Sequence, residues 1–105
     1  MKYADLVEML EEMNLPLAYH HFEEGESPDP PFLLFRFPSE DTFAADDIVY
    51  ISFPEVNVEL YTDKKDPPLE KRLEEIFTRH EVYWSKSEVW IPSERMYEVL
   101  YELTI

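Results

Sequence analysis

The chain opens with apolar residues at the three- and four-residue spacing of an amphipathic helix. This pattern predicts a helix over Lys2–Met13 that buries one stripe and exposes the acidic side chains between its members. Asn14 suits the position after a helix end, and Pro16 cannot continue a helix. The apolar positions of this stripe are Tyr3, Leu6, Met9, Leu10 and Met13.

A second helical stripe runs through the segment DKKDPPLEKRLEEIFTRH. Asp66 can cap this helix, and Pro67 and Pro68 fit its first turn, where their missing N–H groups cost nothing. Arg79 and His80 fall in the last turn, where the helix dipole favours positive charge. The helix is expected to pack on a sheet through a stripe of Leu69, Leu73, Ile76 and Phe77.

Strand patterns occupy most of the middle of the chain. Leu17–Phe22 fits an edge strand or an extended segment, and FLLFRF at Phe32–Phe37 fits a buried strand. Alternating apolar and polar residues predict a strand within Ile48–Thr62, with a bulge or turn at Pro54. This strand can pair with the preceding one as a hairpin whose long tip is the polar loop Ser39–Asp47.

The C-terminal part of the chain predicts a second hairpin. Val82–Pro92 has the aromatic and branched residues of a strand. The tail after it fits a helix or a strand by spacing, but its tyrosines and branched residues favour a strand, and Pro92-Ser93 marks the turn. The predicted fold class is therefore α+β: a single domain over residues 1–105 with two helices packed on one face of a mainly antiparallel sheet of about four to five strands.

The composition predicts a folded domain with an acidic surface. Apolar residues make up 45% of the 105 residues and aromatic residues 15%, which is enough to build a core. The net charge of -15 favours a basic partner and disfavours nucleic acid and anionic membranes, because both repel it. Residues 1–62 hold 14 acids and 2 bases, whereas residues 63–105 hold 10 acids and 7 bases, so one edge should be far more negative than the rest.

The residue content also disfavours several kinds of chemistry. The chain has no cysteine, which removes disulfides, a thiol nucleophile and cysteine-based zinc sites, and is compatible with a cytosolic protein. Gly25 is the only glycine, so a glycine-rich nucleotide-binding loop is excluded. The N-terminus is too acidic for a signal peptide, and no apolar run approaches the roughly 18 residues of a membrane span. The serines lack a glycine-flanked elbow, and carboxylate pairs are too common here to indicate catalysis, so we expect neither an enzyme nor a cofactor.

The adjacent histidines His20 and His21 raise the question of a metal site. Adjacent residues on an extended chain point to opposite faces, so these two should not share one ion easily. We expect one histidine to be buried and hydrogen-bonded and the other to be exposed. The alternative is that one of them binds a metal together with Glu23, Glu24 or His80.

The stretch YHHFEEGESPDPPF, from Tyr19 to Phe32, is interpreted as an interaction arm. Its acids need not be buried, its prolines lower the entropy lost on docking, and Tyr19, Phe22 and Phe32 should fasten its ends to the body. Aromatic residues in the two acidic loops and in the fourth strand are further candidates, because aromatic side chains are enriched in interfaces. The candidate interface residues are Tyr19, His20, His21, Phe22, Glu23, Glu24, Phe43, Asp46, Asp47, Trp84 and Trp90.

Three segments, LPLAYHHFEEGESPDPPFLLF, VELYTDKKDP and KSEVWIPSERMYEVLYEL, resemble a family of small tail proteins from siphophages and prophages of Gram-positive bacteria. That family is related to the tail-completion, or tail-terminator, proteins. The resemblance runs over nearly the whole chain, and its motifs carry no catalytic signature. The chain departs from the family pattern at Pro54, within SFPE, which puts the length of the middle strand in doubt.

The resemblance implies an α+β subunit that forms a ring, commonly a hexamer, on top of the tail tube. Such a ring stops tube growth and offers a surface to the head connector, so the implied partners are other copies of the chain, the tail tube protein and the head connector protein. The implied location is the tail or neck of the virion, and the host cytoplasm before assembly. An acidic lumen would repel passing DNA rather than bind it.

Two other functions compete with this one. An acidic protein can mimic DNA and inhibit a host nucleic-acid-binding enzyme by occupying its basic groove, which requires carboxylates spaced like phosphates on one face. A small metal-dependent enzyme that uses the histidines is the other alternative.

Overall fold

Two helices accompany a five-stranded sheet in the computed structural model, which describes residues 2–38 and 55–105. The sheet has the strand order β1-β2-β3-β5-β4, and all neighbours are antiparallel except β1 and β2, which are parallel. The fold is therefore α+β with a mixed, mostly antiparallel sheet, as predicted. Along the chain the elements are α1 (Tyr3–Glu11), β1 (Leu17–Tyr19), β2 (Phe32–Arg36), β3 (Glu55–Thr62), α2 (Pro67–Arg79), β4 (Tyr83–Ile91) and β5 (Met96–Thr104).

The pairing within the sheet confirms both predicted hairpins. Strands β2 and β3 form one antiparallel pair, and β4 and β5 form the other. The ambiguous tail is a strand because β5 lies between β3 and β4 and forms ladders with both, which a helix cannot do. The predicted edge strand is β1. The loop expected at Ser39–Asp47 and the bend expected at Pro54 lie outside the described residues.

Strand β3 lies in the middle of the sheet, and its alternating side chains distinguish the two faces of the sheet. Val58 is fully buried and stands opposite Phe35 of β2 and Tyr101 of β5. Since side chains alternate along a strand, the residues of these three strands in phase with Val58 share one face, which holds most of the buried apolar side chains and which we call the core face. The opposite face, which we call the second face, carries Glu59 and Tyr61 of β3.

The two helices begin and end as their sequences predict. The backbone N–H of Lys2 donates to the Asp5 carboxylate at the start of α1, and Asn14 after its end has a φ of 56°. The Asp66 carboxylate accepts a hydrogen bond from the backbone N–H of Leu69, with the two prolines in the first turn of α2. No helix among the described residues is long and apolar enough to span a membrane. The most deeply buried helical side chains are Leu6, Met9, Leu10, Leu73 and Phe77.

Candidate interaction surface

The segment Glu23–Pro31, which we call the acidic arm, begins with a tight turn. The backbone N–H of Glu26 donates to the carbonyl of Glu23, and Gly25 has a φ of 81° at the third position of this turn. A type II turn requires such a positive φ at that position, and glycine adopts it without strain. A Cβ on Gly25 would meet no atom within 4 Å, so backbone conformation alone explains the chain's single glycine.

Aromatic contacts hold the arm to the sheet at both ends, as predicted. Phe22, just before the arm, packs edge-on against Phe32, just after it, with ring centroids 5.3 Å apart. Phe32 in turn stacks on Tyr61 of β3 at 5.0 Å. Tyr19 packs edge-on against Phe35 at 5.3 Å. The arm therefore leaves and rejoins the body at fixed points, which lowers the entropy it would lose on docking.

The four carboxylates of the arm face solvent and have no cationic partner among the residues that the structure describes. None of the ion pairs among residues 2–38 and 55–105 involves an arm carboxylate. Two arginines are engaged elsewhere: Arg79 with the Glu12 carboxylate, and Arg72 with the carbonyl of Met13. The arm is thus a concentrated, solvated negative surface next to β1, at one edge of the sheet. Its exposed acids are Glu23, Glu24, Glu26 and Asp29.

The structure contradicts the prediction for the two histidines. Both are exposed, and their rings lie together instead of pointing to opposite faces, with Nδ1 of His20 3.1 Å from Nδ1 of His21. The reason is a left-handed backbone at His20, whose φ of 67° turns the chain after β1. Among the described residues, no group of three or more His, Asp or Glu side chains is placed to hold a metal ion.

A polar network that the sequence did not reveal connects α2 with β4. Glu70 is buried, and its carboxylate pairs with Lys65 at 2.6 Å and with Lys86 at 2.8 Å. Burial alone would raise the pKa of Glu70, but the hydrogen bonds from the two lysines together outweigh it and lower that pKa. Lys65, which precedes α2, also pairs with Glu88, so β4 is connected to Glu70 directly through Lys86 and indirectly through Lys65.

Glu74 and Tyr101 extend this network into the core. The hydroxyl of Tyr101 donates to the Glu74 carboxylate at 2.7 Å, and Lys86 binds the same carboxylate at 2.7 Å. Burial, together with this hydrogen bond, raises the pKa of Tyr101 far above its usual value, so the hydroxyl stays protonated. The sequence contains one indication of this network. Glu70 stands three residues before Leu73 and seven before Phe77, which places its side chain on the apolar face of the helix.

A second cluster of charged side chains lies on the second face, where β2, β3 and β5 meet. Glu59 is 9% exposed, accepts a hydrogen bond from the Tyr61 hydroxyl at 3.0 Å and lies 3.7 Å from Arg36. Tyr61 stands directly opposite Glu98 of β5. Burial raises the pKa of Glu98, the Glu59 carboxylate adds to the effect, and Arg36 opposes it.

Replacing Glu98 by glutamine is expected to stabilise the protein at neutral pH. The raised pKa means that ionised Glu98 costs stability once the pH exceeds its folded-state pKa, and that this cost disappears below the usual value of 4.5. We expect Glu98→Gln to raise the free energy of unfolding by about 0.5 kcal/mol at neutral pH and not at about pH 4, in urea titrations. Glu102→Gln, an exposed change on the same strand and face, is the control. Identical behaviour of the two variants at both pH values would contradict the assignment.

Strand β4 presents the large apolar side chains that are most exposed in the described part of the chain. Tyr83 is 81% exposed, Val89 50% and Trp90 44%. Trp90 contacts Tyr97 with ring centroids 4.8 Å apart, and the rest of its side chain stays partly exposed. A hollow of about 520 Å³ lies beside the start of this strand, lined by Thr78, Glu81, Val82, Tyr83 and Trp84.

The structure places the candidate interface residues in three settings. Tyr19 and Trp84 are partly buried against the core, and Phe22 is held by the contact with Phe32. His20, His21, Glu23, Glu24 and Trp90 are exposed, the first four beside the β1 edge and the last on the β4 edge. Phe43, Asp46 and Asp47 lie outside the described residues.

Comparisons with known proteins found no relative of the chain. No protein-family model matches the chain, and neither the curated proteins nor the solved structures contain a match to it.

Proposed function

We propose that the chain is a tail-completion protein of a siphophage or prophage, which caps the tail tube and joins it to the head connector as a ring, commonly of six copies. The observation that carries the proposal is the acidic arm: four exposed carboxylates without ion pairs in the described part of the chain, held at both ends by aromatic contacts. Such a segment is built to meet a basic protein surface. The resemblance of three long segments to small tail proteins names the class of partner.

The architecture we infer places both helices on the core face. Tyr3 of α1 contacts Phe35, and Phe77 of α2 contacts Tyr101, and these two sheet residues share that face through Val58. In the described part of the chain, this arrangement leaves both sheet edges for other proteins. A ring subunit needs at least two separate contact surfaces, one for each neighbour, besides those for tube and connector.

The charge of the chain also fits assembly on a template. Copies that each carry a net charge of -15 repel one another, so free rings are disfavoured until a complementary surface binds them. A ring lined with carboxylates would let DNA pass without holding it.

Co-sedimentation with polymerised tail tubes tests the proposal. The tubes are assembled from the tail tube subunit of the phage or prophage that carries the chain, sheared to two mean lengths, and mixed with increasing amounts of the protein. A cap binds only tube ends, so we expect the bound amount to saturate at a fixed number of copies per tube, independent of tube length. Binding that scales with tube length, or no binding at all, would overturn the proposal. Tight, salt-sensitive binding to a nuclease with a basic groove would then favour DNA mimicry.

A further inference from the structure

Strand β4 is an exposed edge strand in the described part of the chain. It lies at the end of the sheet, and no strand of residues 2–38 or 55–105 pairs with its outer side. It is nine residues long, seven of them exposed, and contains neither proline nor glycine. A long edge strand of this kind offers a row of unpaired backbone N–H and C=O groups to another strand, and proteins usually protect such edges. A lysine can protect such an edge, but the only lysine of β4, Lys86, is directed into the network with Glu70.

The sequence of β4, YWSKSEVWI, is complementary to itself when it is reversed about Ser87. In an antiparallel pair of two such strands centred on Ser87, Lys86 of one copy faces Glu88 of the other. By the same register, Trp84 faces Trp90 of the second copy. Aromatic pairs placed directly across from each other stabilise antiparallel strands, whereas like charges placed so destabilise them. Lys86 and Glu88 keep the ion pairs within their own chain, and this register places neither of them across from a like charge. A two-fold interface requires this self-complementarity, since the same patch serves both copies.

The side-chain positions agree with this register. The core face of β4 carries Trp84, Lys86 and Trp90, which stand opposite β5 residues of that face. The tryptophans and the charged residues of both copies therefore fall on one side of the joined sheet. Trp84 lines the hollow of about 520 Å³, and the pairing puts the exposed Trp90 of the second copy beside that hollow. In this register, the partly exposed indole of Trp90 in one copy therefore lies beside the hollow of the other copy.

The charge distribution identifies a second copy as the partner for this edge. Strand β4 carries one lysine and one glutamate, so it is neutral within a chain of net charge -15. The acidic arm lies next to β1, at the opposite edge of the sheet. Joining two copies at β4 therefore brings their least acidic edges together and keeps their arms at the two far ends.

We propose that two copies of the chain pair through β4, antiparallel and centred on Ser87, and join their five-stranded sheets into one continuous sheet. The dimer goes beyond the tail function and does not depend on it, because it follows from β4 alone. Both arms stay free at the outer β1 edges of the dimer, and each copy covers the β4 edge of the other.

Single-cysteine cross-linking tests the register, and the absence of natural cysteines leaves no background. In the proposed dimer the two copies of residue 87 stand directly opposite, about 5 Å apart between Cα atoms, within the range that a disulfide spans. The two copies of residue 85 are offset by four positions, about 13 Å, which a disulfide cannot span. Ser85 and Ser87 are both exposed on the same face of β4, so Ser85→Cys is a matched control for Ser87→Cys.

With oxidised glutathione as the oxidant, we expect Ser87→Cys to form a covalent dimer at least tenfold faster than Ser85→Cys. A mixture of Ser85→Cys and Val89→Cys should form the mixed dimer, because these positions face each other in the same register. Equal rates for the two single variants, or a monomer for Ser87→Cys under these conditions, would overturn the proposal. Circular dichroism of each variant before oxidation verifies that it is folded, and tube binding is measured separately, so failure of the dimer does not count against the tail function.

Discussion

Replacing Tyr101 by alanine is expected to lower the free energy of unfolding by about 4 kcal/mol. Tyr101 is fully buried, its ring packs edge-on against Phe77 at 5.4 Å and against Trp84 at 5.8 Å, and its hydroxyl binds Glu74. Alanine would remove the ring from the junction of α2, β4 and β5 and leave a cavity there. Since a domain of this size has a total stability of about 5–15 kcal/mol, the variant should melt about 20 °C below the unmodified chain.

The matched variant Tyr101→Phe separates the ring from the hydroxyl. Phenylalanine keeps the packing and removes only the hydrogen bond to the Glu74 carboxylate, which Lys86 still binds. We expect a loss of about 1.5 kcal/mol, measured like the alanine variant by urea unfolding followed by circular dichroism. A loss below about 1 kcal/mol for Tyr101→Ala would show that this ring does not hold α2 against the sheet.

If the chain caps tail tubes as we propose, neutralising the acidic arm is expected to lower its affinity for them by about 100-fold at low salt. Each exposed charge across an interface contributes a fraction of a kcal/mol to about 1 kcal/mol, and four together give this factor. The same changes should remove most of the salt dependence of binding, since screening acts on the charges that have been deleted. The quadruple variant is Glu23→Gln, Glu24→Gln, Glu26→Gln and Asp29→Asn.

A second quadruple variant controls for net charge. It removes the same number of exposed carboxylates from α1, α2 and the β4–β5 turn, by the changes Glu8→Gln, Glu11→Gln, Glu75→Gln and Glu94→Gln. If the arm itself docks, this variant should bind tubes with nearly unchanged affinity in the co-sedimentation assay. Equal losses in the two variants would mean that total charge, and not the arm, governs binding.

The sequence predicted the local elements well because each has its own periodicity and its own end signals. The caps at Asp66 and Asn14 and the alternation in β3 and β5 are contained within short stretches of chain. The order of the sheet was not contained in them: β5 inserts between β3 and β4, and β1 runs parallel to β2. Those contacts join distant segments, and only the packing of the whole core selects them.

The candidate site was predicted in part for the same reason. The aromatic residues that fasten the arm are near in sequence and were identified correctly, whereas the arrangement of His20 and His21 depends on one left-handed residue that alternation rules do not foresee. The cluster of Glu59 and Glu98 exists only through the register between β3 and β5. The self-complementarity of β4 indicates a pairing surface only because the structure places that strand at an edge of the sheet.

The most direct test of a tail-completion role is electron microscopy of tube subunits polymerised with and without this protein. If the chain caps tubes, images should show extra density with rotational symmetry at one end of each tube, and the capped tubes should stop growing when more subunit is added. Tubes with bare ends that keep growing in the presence of excess protein, or protein bound along the tube walls, would contradict the account.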